Sequence, residues 1–180
     1  IKHDFEEYGV RVNAAAHYTQ ISDFQATTFT GTGFNLQNAG DIIVKGIELE
    51  ATWLMTESTE LHAVASRTLA NFDEFKRGTC WVAYTWHTGI DDPGRVEPND
   101  PFCSRDDDRV GFEPQNSLSL MLNHYFEVGN YPASASIDYQ YTGDVFLDDA
   151  NDPYKYADDF SLFNVRVSFT IPQWDSEIIA

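Results

Sequence analysis

Hydrophobic and polar residues alternate with a period of two along much of this chain. Ile47, Leu49, Ala51 and Trp53 are interleaved with Glu48, Glu50 and Thr52. Successive side chains of a β-strand point to opposite faces, so this spacing predicts a strand between water and an apolar medium. The pattern recurs, with Val10, Val12, Ala14, Ala16 and Tyr18 set against Arg11, Asn13, Ala15 and His17. Leu118, Leu120 and Leu122 alternate with Ser119, Met121 and Asn123. Ala133, Ala135, Ile137, Tyr139 and Tyr141 alternate with Ser134, Ser136, Asp138, Gln140 and Thr142. Phe163, Val165, Val167, Phe169 and Ile171 alternate with Asn164, Arg166, Ser168 and Thr170. A further strand begins at Leu61 and fades near Phe75. Across Ile42–Gly46 the register is ambiguous, because Lys45 shares a face with Ile47, and Gly46 is a predicted bulge. The expected fold is all-β, an antiparallel meander of about six full strands plus two stubs at Ile1–Phe5 and Ser176–Ala180.

The connections alternate in length. Short turns are predicted at Glu6–Gly9, Thr56–Glu60, Phe126–Pro132 and Pro172–Asp175. Longer connections are predicted at Ser22–Asn35, which includes the Thr- and Gly-rich Thr27–Gly33, at Lys76–Glu113, and at the acidic Asp144–Asp159. Short turns on one rim and long loops on the other is the arrangement of an outer-membrane barrel. Trp53, Phe126, Tyr131 and Trp174 all fall beside the short turns, where an interfacial aromatic girdle belongs. A soluble β-sandwich shares the alternation but has no reason to gather aromatics at one end.

Composition supports this picture. Hydrophobic residues make up 42% and aromatics 14%, with 13 Phe and 9 Tyr, which suits strands and membrane interfaces. There are 29 acidic against 11 basic residues, a formal net charge of −18, so a phosphate backbone would be repelled and nucleic acid is excluded as a partner. The longest apolar run, Cys80–Tyr84, is far below the roughly 20 residues of a spanning helix. A membrane protein of this composition would have to be a barrel.

The order Asn38-Ala39-Gly40, an apolar run Ile42-Ile43-Val44, then Lys45-Gly46-Ile47-Glu48-Leu49-Glu50 resembles the barrel-strand signature of TonB-dependent outer-membrane receptors. The resemblance extends to Val10–Phe24, with His17-Tyr18-Thr19 and Asp23-Phe24, to the cysteine-containing loop, and to Pro114–Leu122. It implies that residues 1–180 are a partial barrel domain, from the later part of a transmembrane β-barrel of about 22 strands with a plugged lumen. The start without an initiator Met or signal region, and the end inside an apolar segment, fit a piece of a longer protein lacking its plug domain and both barrel ends. The implied function is active import of a scarce nutrient, a ferric siderophore first among them, across the bacterial outer membrane. Its partners would be the plug domain, TonB and outer-membrane lipid, with no cofactor and no enzymatic activity. Two other readings stay open: a small passive or structural outer-membrane barrel of about eight strands, and a soluble β-sandwich binding module. The terminal stubs are shorter than the roughly nine to eleven residues of a spanning strand, which counts against the small barrel.

Candidate chemistry is concentrated in the loops. Cys80 and Cys103 are the only cysteines, and export through an oxidising periplasm favours a disulfide over two free thiols. Their spacing is wrong for a compact zinc site. Trp81, Tyr84, Trp86 and His87 form an aromatic cluster that either contacts ligand or packs against neighbouring loops. Asp106, Asp107, Asp108, Asp144, Asp148, Asp149, Asp152, Asp158 and Asp159 are either solvated turn residues or calcium ligands, although no calcium-loop motif is present. Glu48, Glu50, Asp138, Gln140 and Arg166 are the expected lumen-facing side chains. No catalytic or metal-binding motif is found, and Ser119 and His124, five apart on one strand, are expected on opposite faces.

Overall fold

The computed structural model describes residues 1–29, 33–174 and 176–180, apart from the side chains at 28, 29, 34, 35 and 37–39. Thr30, Gly31 and Thr32 of the expected first long connection, and Asp175 of the last turn, lie outside the described residues. So do the side chains of Thr28 and Phe29 in that connection, and of Asn38 and Ala39 in the motif.

In chain order the elements are β1 (Lys2–Phe5), β2 (Val10–Phe29), β3 (Phe34–Thr56), β4 (Thr59–Glu74), β5 (Gly78–Thr79), α1 (Ala83–Thr88) and β6 (Phe102–Cys103). They continue with β7 (Asn116–Val128), β8 (Tyr131–Thr142), β9 (Val145–Phe146), β10 (Tyr156–Ala157), β11 (Phe160–Ile171) and β12 (Ser176–Ile179). Eight of these make one antiparallel sheet in the order β1-β2-β3-β4-β7-β8-β11-β12. Six long strands and two stubs are thus laid down as a meander, as the alternation predicts. No second large sheet packs on it among the described residues, so the sandwich is not the fold. Nor do β1 and β12 pair with each other, so these eight strands do not close into a small barrel.

Register follows the hydrophobic pattern. Ile47 stands opposite Ala16 and Arg67, Leu49 opposite Ala14 and Ala65, and Trp53 opposite Val10 and Leu61. Further along, Ile137 stands opposite Leu122 and Val165, and Tyr139 opposite Leu120 and Phe163. One face of the sheet is therefore apolar from β2 to β11, and it is bare: Ile47 is 60% and Phe163 65% exposed. The opposite face carries Glu48, Glu50, Asp138, Gln140 and Arg166. Cross-strand hydrogen bonds tie that polar face together, from Asn13 Nδ2 to Glu50 Oε2 (2.8 Å), between Ser66 and Ser117 (2.8 Å), and between Ser134 and Ser168 (2.9 Å). Neighbouring polar side chains across strands are a unit of sheet stabilisation.

Two expectations need correction. Gly46 is not a bulge: it pairs in register with His17 and Thr68. Its role is space, since a Cβ there would fall 2.3 Å from His17 Cε1. The irregularities lie instead between Ile21 and Phe24, at Phe24/Gln25, at Asp41/Ile42 and at Leu54/Thr56. Gly40, beside two of them, has φ +88 and lies so close to Glu74 that a Cβ would meet its carbonyl oxygen at 1.8 Å. Secondly, most of Ser22–Asn35 is strand rather than loop, because β2 and β3 continue as a hairpin to Phe29 and Phe34.

The buried core sits at the long-loop end. Ile42 and Val44 share a face with Gly46 and Glu48, and there Ile42 (4% exposed) packs with Phe72 (1%), Phe75 and Ala26. Phe24, Val44 and Val110 close around this cluster. The segment after β4 therefore folds over the polar face of the sheet, not the apolar one.

Candidate functional site: the interlocked long loops

The long connection expected at Lys76–Glu113 is a small folded unit. Polar and short-range signals are too weak to show this in sequence, because the contacts holding it are long in range. β5 and β6 pair as Gly78↔Cys103 and Thr79↔Phe102, and beside them Cys80 and Cys103 form a disulfide with Cα atoms 5.0 Å apart. Closing a loop of this length restricts the unfolded chain by about 3.5 kcal/mol on the chain-entropy estimate. Arg77 lies over the Phe102 ring at 4.0 Å.

A buried ion pair anchors the unit. Arg105 Nη2 donates to Asp92 Oδ1 at 2.5 Å, with side chains 2% and 0% exposed. Asp92 also accepts from the backbone N–H of Gly94 and of Trp81, both at 2.7 Å. Arg105 donates in addition to the carbonyls of Ser104 and Ala150, the second in the loop between β8 and β11. Burial of two charges is tolerated only when every remaining polar valence is met, which these contacts accomplish. Asp92 lies near the two sulfurs as well, but these are bonded to one another and Asp92 is committed to Arg105, so the trio is not a metal site.

The two long loops are joined by a carboxylate that sequence reasoning treated as one aspartate among many. Asp152 is fully buried and accepts from the N–H groups of Val82 (3.1 Å), Ala83 (2.8 Å) and Tyr84 (3.1 Å) at the start of α1. Orphan N–H groups at a helix start require such an acceptor. It also accepts from Tyr154 N at 3.0 Å, ordering its own loop. Trp81 Nε1 donates to Ala150 O at 2.9 Å, and Gly111 N to Asp149 Oδ1 at 2.9 Å. Arg109 pairs with Asp144 at 2.6 Å. That hydrogen bond from Arg109 holds the Asp144 carboxyl below the usual carboxylate range, while burial pushes the Asp108 carboxyl up.

The other aspartates divide in the same way. Asp106 accepts from Phe75 N and pairs with Lys76, Asp148 pairs with Lys155, and Asp158 and Asp159 are exposed. Asp144, Asp149 and Asp152 thus brace one loop against the other, whereas Asp106 and Asp148 pair within their own loops.

The aromatic cluster is split by the fold. Tyr84 and His87 pack on Tyr154 of the second loop, with ring centroids 5.6 and 4.9 Å away, and Trp81 packs edge-on against Tyr84 at 5.3 Å. Trp86, 83% exposed, stands free of this stack apart from its contact with His87. Packing between loops, one of the two readings, describes Trp81, Tyr84 and His87; the outward-facing part is Trp86 with the edges of His87 and Tyr154. Tyr154 was not singled out in the sequence, where only its place in an acidic, turn-rich stretch is visible. Ser119 and His124 lie on opposite faces, Ser119 opposite Gln140 on the polar one and His124 opposite Ala135 on the apolar one.

The family model described as TonB dependent receptor-like, beta-barrel matches residues 3–177. No curated protein sequence matches the chain. Among solved structures the fold resembles that of the ferric yersiniabactin uptake receptor FyuA from Yersinia pestis, with 17% identity and a TM-score of 0.65. It also resembles that of the siderophore receptor PiuA from Acinetobacter baumannii, with 14% identity and a TM-score of 0.60. Each likeness covers 94% of this chain but 21% of the other, so the chain spans about a fifth of either structure.

Proposed function

From the premise that the chain belongs to the TonB-dependent receptor β-barrel family, we propose that it is a stretch of the barrel domain of an outer-membrane receptor. The receptor imports a scarce nutrient, foremost a ferric siderophore, and draws its energy through TonB. Residues 1–180 contribute the strands of one wall and two of the outer loops; the plug and the remaining strands complete the barrel. In this reading the bare apolar face meets lipid, and Glu48, Glu50, Asp138, Gln140 and Arg166 face the lumen, where they line water or touch the plug.

The observation that carries the proposal is the side on which the long loops fold. They pack against Ile42 and Phe72 at the outer end of the face that bears Glu48 and Glu50 and leave Ile47 and Phe163 of the apolar face bare, as loops must if they narrow a barrel mouth without entering the bilayer. Their disulfide, buried ion pair and capped helix give a preorganised rim, and such rigidity lowers the entropic cost of catching a ligand. Trp86, His87 and Tyr154 present the aromatic surface that would meet it. No bond is made or broken in such import.

The test is growth on ferric siderophore as sole iron source, in cells whose only receptor is the full-length protein containing this chain. Growth that requires both the receptor and intact TonB is expected. Growth that persists without TonB, or failure on a broad panel of ferric siderophores, contradicts the proposal.

A further inference from the structure

The two outer loops offer an incoming ligand no unspent cation. Residues 76–113 and 144–159 carry 14 acidic residues against 6 basic ones, a surplus of 8. The basic side chains are all engaged within the protein: Lys76 with Asp106, Arg95 with Asp91, Arg105 with Asp92 and Asp108, Arg109 with Asp144, Lys155 with Asp148, and Arg77 over the Phe102 ring. Among the acids, Glu97, Asp107, Glu113 and Asp158 are exposed to solvent. An anion held here would have to draw a cation away from its carboxylate. It would also approach against the field of the surplus acids, which reaches about 8 Å at physiological salt.

The outward surface of the same loops is aromatic. Trp86, His87 and Tyr154 form one row of rings, with successive centroids 5.3 and 4.9 Å apart and planes turned by 43° and 22°. Trp86 is 83% and Tyr154 56% exposed, so much of both rings is open to solvent. The face of an aromatic ring carries partial negative charge, which attracts a cation and repels a carboxylate or phenolate oxygen. Asp152 fixes the row from beneath, through the N–H groups of Tyr84 and Tyr154, so the rings are set before a ligand arrives. Charge count and ring faces are independent of each other, and both select the same sign of ligand.

We infer that the ligand received by this rim is a ferric chelate of net positive charge, with its cationic group seated on the rings of Trp86, His87 and Tyr154. Ferric tris-hydroxamates that end in an ammonium have this chemistry: each hydroxamate brings a single negative charge, so the iron is neutralised and the ammonium leaves the complex cationic. Ferric tris-catecholates, whose ligands are doubly charged, are trianionic and are turned away. The inference rests on the siderophore reading above and names the charge class of its ligand.

The experiment titrates the full-length receptor, in non-ionic detergent, with one linear ferric tris-hydroxamate whose terminal amine is left free, acetylated or succinylated. The three complexes share their iron chemistry and are cationic, neutral and anionic. By isothermal titration calorimetry the free amine is expected to bind about tenfold more tightly than the acetyl form and about a hundredfold more tightly than the succinyl form. These gaps should narrow as salt is raised, and a trianionic ferric tris-catecholate should bind more weakly than any of the three. Trp86→Ala is expected to weaken the cationic complex about tenfold and the other two about twofold, while Trp86→Phe, which keeps a ring, should retain most of the preference. Binding of the succinyl form or the catecholate as tightly as the free amine would overturn the inference while leaving the siderophore reading in place, and so would equal weakening of all three complexes by Trp86→Ala. Binding of none of the four complexes would remove the siderophore reading and the inference together.

Discussion

Replacing Asp152 should unfasten the two long loops from each other while leaving the sheet intact. Its carboxylate accepts from four backbone N–H groups, those of Val82, Ala83, Tyr84 and Tyr154, from a fully buried position. Asp152→Ala removes every acceptor. A lost helix cap costs about 0.5–2 kcal/mol, and each buried donor left unmet about 1–3 kcal/mol. Water entering the vacated space satisfies some donors, so the net cost is about 2–4 kcal/mol. Asp152→Asn keeps one oxygen but loses the charge, and about half that cost is expected. The assay is hydrogen exchange by mass spectrometry on the full-length receptor. A cost near 3 kcal/mol corresponds to roughly a hundredfold loss of protection. That loss is expected in residues 81–88, with residues 160–171 of β11 as the internal reference. Unchanged exchange at 81–88 in Asp152→Ala would refute the reasoning, and so would an equal loss in β11, which would mean the loops are not a separate unit.

Other consequences follow from the same contacts. Cys80 and Cys103 should resist alkylation in protein recovered from the outer membrane unless reduced first, and Cys103→Ser should loosen the β5–β6 unit by about 3.5 kcal/mol; alkylation of both without reduction would contradict the disulfide. Val167→Arg should destabilise the folded barrel by about 2–4 kcal/mol, since Val167 pairs with Ala135 roughly 10 Å above the level of Tyr131, near the bilayer midplane; a cost within about 0.5 kcal/mol in reversible unfolding would place that face in water. Because the hydrogen bond from Arg109 lowers the Asp144 carboxyl, its contribution is present above the unfolded value of about 3.9 and is lost as pH falls through the folded value. Protection at the junction of Arg109 and Asp144, taken against the intrinsic exchange rate at each pH, should therefore fall as pH drops through the folded value, and Asp144→Asn should remove this pH dependence.

The sheet was legible in sequence because two different media, oil and water, press on its two faces. Each selects every second residue, so Ile47 and Glu48, or Val165 and Arg166, declare their sides without any alignment. Where the alternation lapses the signal fails, and the extension of β2 and β3 through Thr27 and Leu36 read as a loop although Ala26 within it joins the buried core. Gly46 misled for a related reason: a glycine in a strand marks either a bulge or a close approach, and only the partner side chain, His17, decides which. The loops were least legible. Asp152 reaches α1 across some seventy residues, and Arg105 reaches Ala150 across 45. No local spacing shows such contacts, so braces were indistinguishable from solvated turn aspartates. The disulfide was the exception, because only two cysteines were available to make it.

The central claim is that the sheet is a barrel wall with lipid on one face and the lumen on the other. Nitroxide labels placed one at a time in the full-length receptor in native outer membranes measure this directly. Labels at Ile137, Tyr139, Val165, Val167 and Phe169 should collide with oxygen dissolved in the bilayer and be shielded from a water-soluble nickel chelate. Labels at Glu48, Glu50, Asp138, Gln140 and Arg166 should be shielded from lipid. Water-like accessibility at the first set, or lipid-like accessibility at the second, would contradict the account.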